Sequence, residues 1–523
     1  MILVNQIKCS IDQECTNEVI ASKLGCKPSD IKSFKISKES IDARKDDIHF
    51  VYTCLVDVLH EGRYLTNKDI STYKEVKYHI PELSEPIETR PIVVGFGPSG
   101  MFASLLLAEA GLKPIIFERG SSVDERIKDV DAFWNDGKLN PESNVQYGEG
   151  GAGTFSDGKL TTRIKDTRVP KILSELIEAG ANENISYEAH PHIGTDELRL
   201  IVKNIRKKII SLGGEIHFNT KFESLILNDN VVKGVIANGI TYDTDVVFLC
   251  VGHSARDTFE TLYKQNVFME PKGFAVGLRI EHKQEFINKI QYGKYATHPR
   301  LKAAEYRITH TAENGRGVYS FCMCPGGFVI PSSTDSETII VNGMSEHNRD
   351  QENANSALLV QVPTSDFYKD SPFDGFTYQS NLEHSAYLLG GSNYSAPVQL
   401  VKDFIENKVS TEFKDVKPSY SLGTTFANLR ELFPSVINDA LVESLTSFEK
   451  RMPGFALGDA IFTGVETRSS SPIRVLRTPD CVSTTVSNLY PCGEGAGYAG
   501  GIVSSAVDGL RCAEIYLKNL LSK

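Results

Sequence analysis

Hydrophobic positions along the chain fall into three regimes. Up to about residue 85, short alternating runs dominate. Ile2 to Ile7 and Ile48 to Leu59 have the two-residue period of half-buried strands, and Thr16 to Leu24 has helical spacing. Pro81-Glu82-Leu83-Ser84-Glu85-Pro86 carries two prolines and no period, which predicts a linker. Continuous apolar runs then begin. Pro91-Ile92-Val93-Val94 reads as a buried strand, Met101 to Ala110 as an Ala/Leu-rich helix ending at Gly111, and Lys113 to Phe117 as a second strand. Asp196 to Leu212 is an amphipathic helix. Glu215–Phe218, Lys221–Asn228 and Val231–Asn238 read as strands of a meander, and Asp245 to Gly252 as a buried strand stopped by a glycine. Between about 266 and 455 short strands mix with polar loops, as in an inserted second domain. Residues 488–523 return to strand, glycine-rich turn and long helix.

Composition narrows the class. With 523 residues, 41% hydrophobic and 24% charged, the chain is an ordinary globular protein, not a disordered, collagenous or coiled-coil one. Lys and Arg number 56 against 67 Asp and Glu, so the net charge is −11. That balance lacks the broad positive field that draws nucleic acid or anionic lipid. Ten cysteines are too sparse for a disulfide scaffold, and no Cys/His set has zinc spacing, so no metal centre is expected. No apolar run approaches the ~20 residues of a membrane helix, and the N-terminus has no signal-peptide pattern. The expected setting is the cytoplasm.

The strongest chemical signal is Gly95-Phe96-Gly97-Pro98-Ser99-Gly100. It follows a strand and opens a helix, and Glu118 ends the next strand 18 residues after Gly100. In a βαβ unit each part has a task. Gly95 allows the tight turn, Gly97 lets backbone approach a pyrophosphate, and Gly100 lets helix and strand pack closely. Pro98 and Ser99 begin the helix whose N-terminus receives the pyrophosphate. Glu118 is placed to accept hydrogen bonds from ribose hydroxyls. Arg119 and Arg126 follow and are candidates to neutralise the phosphates.

A second glycine cluster, Gly493-Glu494-Gly495-Ala496-Gly497 to Gly500-Gly501-Ile502, precedes the C-terminal helix. Glu494 can hold ribityl hydroxyls, and the Gly500-Gly501 turn with the helix starting at Ile502 can face the flavin ring, whose reduced form its positive end favours. An NAD dehydrogenase has no need of this second helix start, so the cofactor predicted is FAD. A third cluster has five glycines in eleven positions from Gly148 to Gly158, with Gly151 and Gly153 central; close backbone approach to a bulky cofactor is one reason for them.

These segments, with Val251-Gly252-His253-Ser254-Ala255-Arg256, resemble the FAD-binding fold of the glutathione-reductase/p-hydroxybenzoate-hydroxylase type. Further strings are similar to the FAD-dependent oxidoreductases labelled "NAD(FAD)-utilising dehydrogenases": Gly150 to Leu160, Ser320 to Gly327, Val341 to Ser345, Glu466 to Arg474, and Ser40-Ile41-Asp42-Ala43-Arg44-Lys45. The resemblance implies an α/β protein with four segments. These are a small N-terminal α+β unit at 1–85, ferredoxin-like, a Rossmann-like FAD domain in two parts at 88–265 and 476–523, and an inserted α+β domain at 266–475. It also implies FAD contacts at Gly95, Gly97, Gly100, Glu118, Gly151, Gly153, Gly252 and Glu494.

The function expected is an oxidoreductase moving a hydride or electrons between flavin and a small organic molecule. No second strand-turn-helix (βαβ) unit carrying Gly-x-Gly-x-x-Gly is found, so NAD(P)H, if it is the donor, binds transiently. Arg468 and Arg474 flank a Ser-rich loop and can form a carboxylate fork. Cys322 and Cys324 are two apart on a strand, which places both thiols on one face, where they can act as a dithiol or lie in the core. Two alternatives stand beside this reading. One is a flavin-linked RNA-modifying protein using residues 1–85, where Lys32, Lys35, Lys38, Arg44 and Lys45 supply local positive charge against the acids Asp42, Asp46 and Asp47. The other is a non-catalytic FAD protein.

Overall fold

Five short parallel strands make the central sheet of one domain. Their order is Leu489–Pro491, Val247–Leu249, Ile92–Val94, Ile115–Phe117 and Glu215–His217. This computed structural model describes residues 1–44, 47–75, 77–81, 89–162 and 164–521. Lys45, Asp46 and most of the expected linker, Glu82 to Pro86, lie outside them. Ile92, Val93, Val94, Val247, Phe248, Leu249 and Leu489 are buried, as parallel strands covered on both faces require. One cover is the helix Pro98–Glu109, in which ten of twelve residues are buried. It is apolar on every side because it has no solvent face. It packs against Ile502–Leu521 at close range, since a Cβ on Gly509 would lie 2.1 Å from the Ser99 carbonyl oxygen.

The meander consists of Phe222–Asn228, Val231–Ala237 and Ile240–Asp243. The segment from Glu215 was expected to be its first strand. Instead Glu215–His217 pairs in parallel with Ile115–Phe117. The preceding helix Thr195–Ser211 is a crossover, and a crossover returns the chain parallel to the strand it left.

Residues 274–466 build a seven-stranded sheet. Its order is Thr309–Thr311, Gly317–Cys324, Asn353–Val362, Phe274–Lys283, Ile461–Glu466, Ala396–Leu400 and Thr424–Phe426. One face carries a large core, with Leu278, Ile280, Leu358 and Val360 packed under Leu441, Leu445 and Phe448 of the helix Ser435–Arg451. The other face is smaller, with Ala275, Ala357 and Leu359 beside the partly buried rings of Tyr319 and Phe321. Met269–Pro271 pairs with Ile473–Val475 where the chain enters and leaves this unit.

The N-terminal sheet runs Ile31–Asp42, His49–Val58, Ile2–Ser10, Ile70–Thr72, all antiparallel, with the helix Asn17–Leu24 after the first strand. This is the split βαβ order of a ferredoxin-like unit, with a single 3-10 turn, Glu61–Arg63, in place of the second helix. Alternating residues Ile2, Val4, Cys9, Phe50, Tyr52, Cys54 and Val56 form its core. Arg300 from the inserted unit fastens it, donating to the carbonyls of Ile11 (2.7 Å) and Gln13 (3.0 Å) and to the Tyr52 hydroxyl (3.2 Å). Among the described residues no helix is long and apolar enough to cross a membrane.

Candidate cofactor and active site

The three glycine clusters meet. Gly95, with φ +95°, and Gly100 are required for packing: a Cβ on the first would lie 2.6 Å from the Cys250 carbonyl oxygen, and on the second 1.9 Å from that of Gly95. Gly97 is different. The nearest atom to its would-be Cβ is the Gly151 Cα, at 3.7 Å. Gly153 lies over the start of the other helix, with the Ile502 side chain 3.0 Å from where a Cβ on Gly153 would stand. Gly493 abuts Ser99 at 2.7 Å, and Gly495 abuts the Val251 carbonyl oxygen at 1.9 Å, each measured from the same would-be Cβ. Gly252, Gly500 and Gly501 have open space within 4 Å. The result is a bare-backbone trough with two helix N-termini, Pro98–Glu109 and Ile502–Leu521, opening onto it. Each end presents unpaired N–H groups and the positive end of a dipole.

Glu118 is buried at the strand end, but its carboxylate serves the backbone. It accepts from the N–H groups of Phe96 (2.8 Å), Gly120 (2.9 Å) and Gly148 (3.0 Å). It therefore ties the Gly95–Gly100 turn to the glycine-rich loop, and about one of its four acceptor positions is left for a ribose hydroxyl. The two arginines expected at the phosphates are corrected outright. Arg126 is fully buried and spends its donors on the carbonyls of Asn144, Val145, Glu149 and Gly151. It moulds the loop from behind. Arg119 pairs with Asp257 (2.8 Å) and Glu142 (2.9 Å) and lies 4.4 Å from the centre of the Tyr147 ring.

Glu494 is far less committed. Among the described residues only the Gly501 N–H donates to it, at 3.4 Å. Burial pushes its carboxyl up to about 7, against the pull of that N–H and of Lys272. His253 Nδ1 lies 3.9 Å from its Oε1, and the opposite ring nitrogen, Nε2, is buried with no hydrogen-bond partner among the described residues. Burial, then the charges of Arg468 and Arg256, push this imidazole down to about 4, so it is neutral at neutral pH. A trough that a side chain would fill, two helix N-termini, an uncommitted carboxyl and an orphaned ring nitrogen all fit an elongated, hydroxyl-rich anionic ligand.

Comparison with known proteins supplies a cofactor. Residues 273–469 match the protein-family model described as "FAD-dependent protein, C-terminal domain-like", and residues 1–57 match a domain of unknown function. Over 522 residues the chain is 49% identical to an uncharacterised protein of Clostridium beijerinckii, covering 98% of each. This chain belongs to that protein's family, and its cofactor is FAD. Among solved structures it is similar to the glycine oxidase from Bacillus cereus, with TM-score 0.32, 11% identity, and 83% of this chain and 95% of that one covered. It is likewise similar to CtdE in complex with FAD, with TM-score 0.33, 12% identity, and coverages of 83% and 88%.

The paired-arginine expectation fails at Arg468. Its guanidinium is buried and forks onto Glu383 (3.0 and 2.9 Å), with further bonds to Thr334 (2.7 Å) and Asp335 (3.1 Å). Four of its five donors are used. Arg474 stays available: its side chain is 40% exposed, its nearest carboxylate is Glu270 at 3.9 Å, and it lies 5.4 Å from the Tyr498 ring centre. Lys272, which no sequence motif singles out, joins this group. Burial, then the Arg474 charge, lower its pKa, and Glu494 opposes them.

Cys322 and Cys324 do not share a face. A bulge interrupts the strand between Phe321 and Cys324, so the alternation rule breaks there. Cys324 is buried and Cys322 is exposed. Cys322 has φ +41°, a strained value for a side-chain-bearing residue. Its conformation is held from three sides. Arg279 donates to the Cys322 carbonyl (2.6 Å) and is itself paired with the buried Glu466 (2.7 Å), while Lys159 from the glycine-rich loop grips the Met323 carbonyl. Although exposed, the thiol sits in enough protein that burial pushes it up to about 12. It is a neutral S–H at neutral pH.

Proposed function

We propose that this protein is an FAD-dependent oxidoreductase acting on a small organic substrate bound between the glycine trough and the inserted sheet. The observation that carries the reading is the meeting of Gly97, Gly151–Gly153 and Gly493–Ile502 at one place. When bound, FAD supplies two-electron chemistry at its ring. The chain supplies the rest. Gly97 and the helix beginning at Pro98 receive the pyrophosphate, and Gly252 leaves room beside it. Glu118 fixes the turn and retains an acceptor position for the ribose. Glu494 accepts from ribityl hydroxyls, and the helix beginning at Ile502 directs its N–H groups at the ring. Arg474 and Lys272 hold an anionic group, and Cys322 stands at the strained bulge as a neutral thiol. No second nucleotide-type βαβ unit exists among the described residues, so a nicotinamide donor would dock only transiently.

The purified protein is expected to be yellow and to release FAD on denaturation. Anaerobic NADH or NADPH should bleach it if either is the donor. A colourless preparation that binds NAD instead would overturn the assignment.

Glu494 gives a pH signature. An ionised carboxylate accepts hydroxyl protons more strongly than a protonated one, and burial brings the Glu494 carboxyl to about 7 in the free site. FAD affinity should therefore rise with pH through the neutral range, by up to about tenfold per unit below 7. In Glu494→Gln the affinity should be lower and flat over the same range. A wild-type affinity independent of pH between 6 and 8 counts against this role.

A further inference from the structure

A thiol cluster lies in the N-terminal unit, apart from the residues of the glycine trough. Cys15 Sγ and Cys54 Sγ are 3.7 Å apart, and Cys9 Sγ points at the Glu14 carbonyl at 3.8 Å. Cys54 lies on the strand His49–Val58 and is buried, whereas Cys15 is half-exposed on the loop that leads to the helix Asn17–Leu24. All three are unpaired. We propose that Cys15 and Cys54 form a peroxide-responsive disulfide.

The two thiols divide the work by position. Cys15 is reachable from solvent, and the hydrogen bond from Cys54 lowers its pKa, which favours the thiolate. Cys54 is held protonated by that same bond and by burial. The Cys15 thiolate attacks hydrogen peroxide, the O–O bond breaks, and the departing hydroxide takes a proton to leave as water. Cys15 is now a sulfenic acid. Cys54 sulfur then attacks Cys15 sulfur, forming the S–S bond and expelling the hydroxyl, which leaves as a second water with the Cys54 proton. Two thiols and one peroxide become one disulfide and two waters. The 3.7 Å contact sets the two sulfurs of the new bond beside each other before the reaction begins.

The bond would join the loop from Ile11 to Thr16 to the central strand of the sheet. Arg300 of the inserted unit grips that loop through the carbonyls of Ile11 and Gln13. The redox state of the pair is thus read at the surface where the two units meet.

The test is peptide mapping of the full-length protein after brief hydrogen peroxide treatment and alkylation of the remaining thiols. One cross-linked species is expected, joining the Cys15 and Cys54 peptides, with both sites lost to alkylation and the mass restored by dithiothreitol. Cys54→Ser should leave Cys15 as a sulfenic acid trapped by dimedone, and Cys9→Ser should cross-link as wild type does. A Cys9–Cys15 link, or full alkylation of Cys15 after treatment, would overturn the proposal. The readout is independent of flavin content and turnover, so it stands or falls apart from the oxidoreductase reading.

Discussion

Gly97→Ala is expected to give a folded protein that has lost its colour. The substitution is tolerated by the backbone, because Gly97 has φ −78° and its would-be Cβ meets nothing nearer than 3.7 Å. The added methyl instead stands in the trough, where bare backbone must meet the pyrophosphate. Overfilling a close contact costs about 1–3 kcal/mol, which is roughly a 5- to 150-fold loss of FAD affinity. Two measurements separate binding from folding: titration of the flavin-free protein with FAD, and the thermal midpoint of that flavin-free protein. The first should fall sharply and the second should not move. Gly100→Ala is the contrast. Its Cβ would lie 1.9 Å from the Gly95 carbonyl oxygen, so that variant should fail to fold. If Gly97→Ala binds FAD as wild type does, the pyrophosphate does not pass over Gly97.

The glycine-to-acid pattern from Gly95 to Glu118 was legible because its determinants are local. Glycines at a strand-to-helix turn answer to neighbours a few residues away, and the helix Ile502–Leu521 likewise announced itself by its own spacing. Long-range pairing was not legible. The sheet of residues 274–466 was read only as short strands among loops, since its central strand Phe274–Lys283 pairs with Asn353–Val362 on one side and Ile461–Glu466 on the other. No period in one stretch of sequence reports a partner so far along the chain.

The same limit explains the arginines. A sequence shows that a guanidinium is present but not what has already claimed it. Arg126 is claimed by four carbonyls and Arg468 by a carboxylate 85 residues away. A signal for the second existed. On the helix Asp374–Leu389, Gln379 and Glu383 are four apart on the face that buries Phe376, Leu382 and Ala386. Polar residues at helical spacing on an apolar face call for buried partners. At Cys322 the strand rule failed because a bulge shifts the register, and the bulge is set by Arg279, Glu466 and Lys159 from three other segments.

Removing the charge of Glu383 should produce the largest loss of stability. The carboxylate is wholly buried and stands between two guanidinium groups, Arg468 at 2.9 Å and Arg256 at 3.2 Å, with the Thr467 hydroxyl at 2.7 Å. It joins the helix Arg256–Lys264, beside the parallel sheet, to the helix Asp374–Leu389 of the inserted unit. Glu383→Gln keeps the shape and leaves the buried Arg468 facing the half-buried Arg256 without the carboxylate between them. Breaking such a pair costs about 3–5 kcal/mol, which should appear as a lowered unfolding midpoint. Adding Arg256→Met should recover part of the loss by removing one uncompensated cation. Glu125→Gln, at an exposed pair with Lys128, should leave the midpoint where it is. Acid gives a second readout. Burial alone would raise the Glu383 carboxyl, but the Arg468 and Arg256 charges outweigh it and bring it to about 2. The ordinary value for a glutamate is about 4.3. A depressed folded-state pKa means that the stabilisation is complete above about pH 4.3 and is lost as pH falls toward 2. Glu383→Gln should lack this part of the acid limb, and a variant that unfolds at the wild-type midpoint with the wild-type acid limb would show that the two arginines do not depend on this carboxylate.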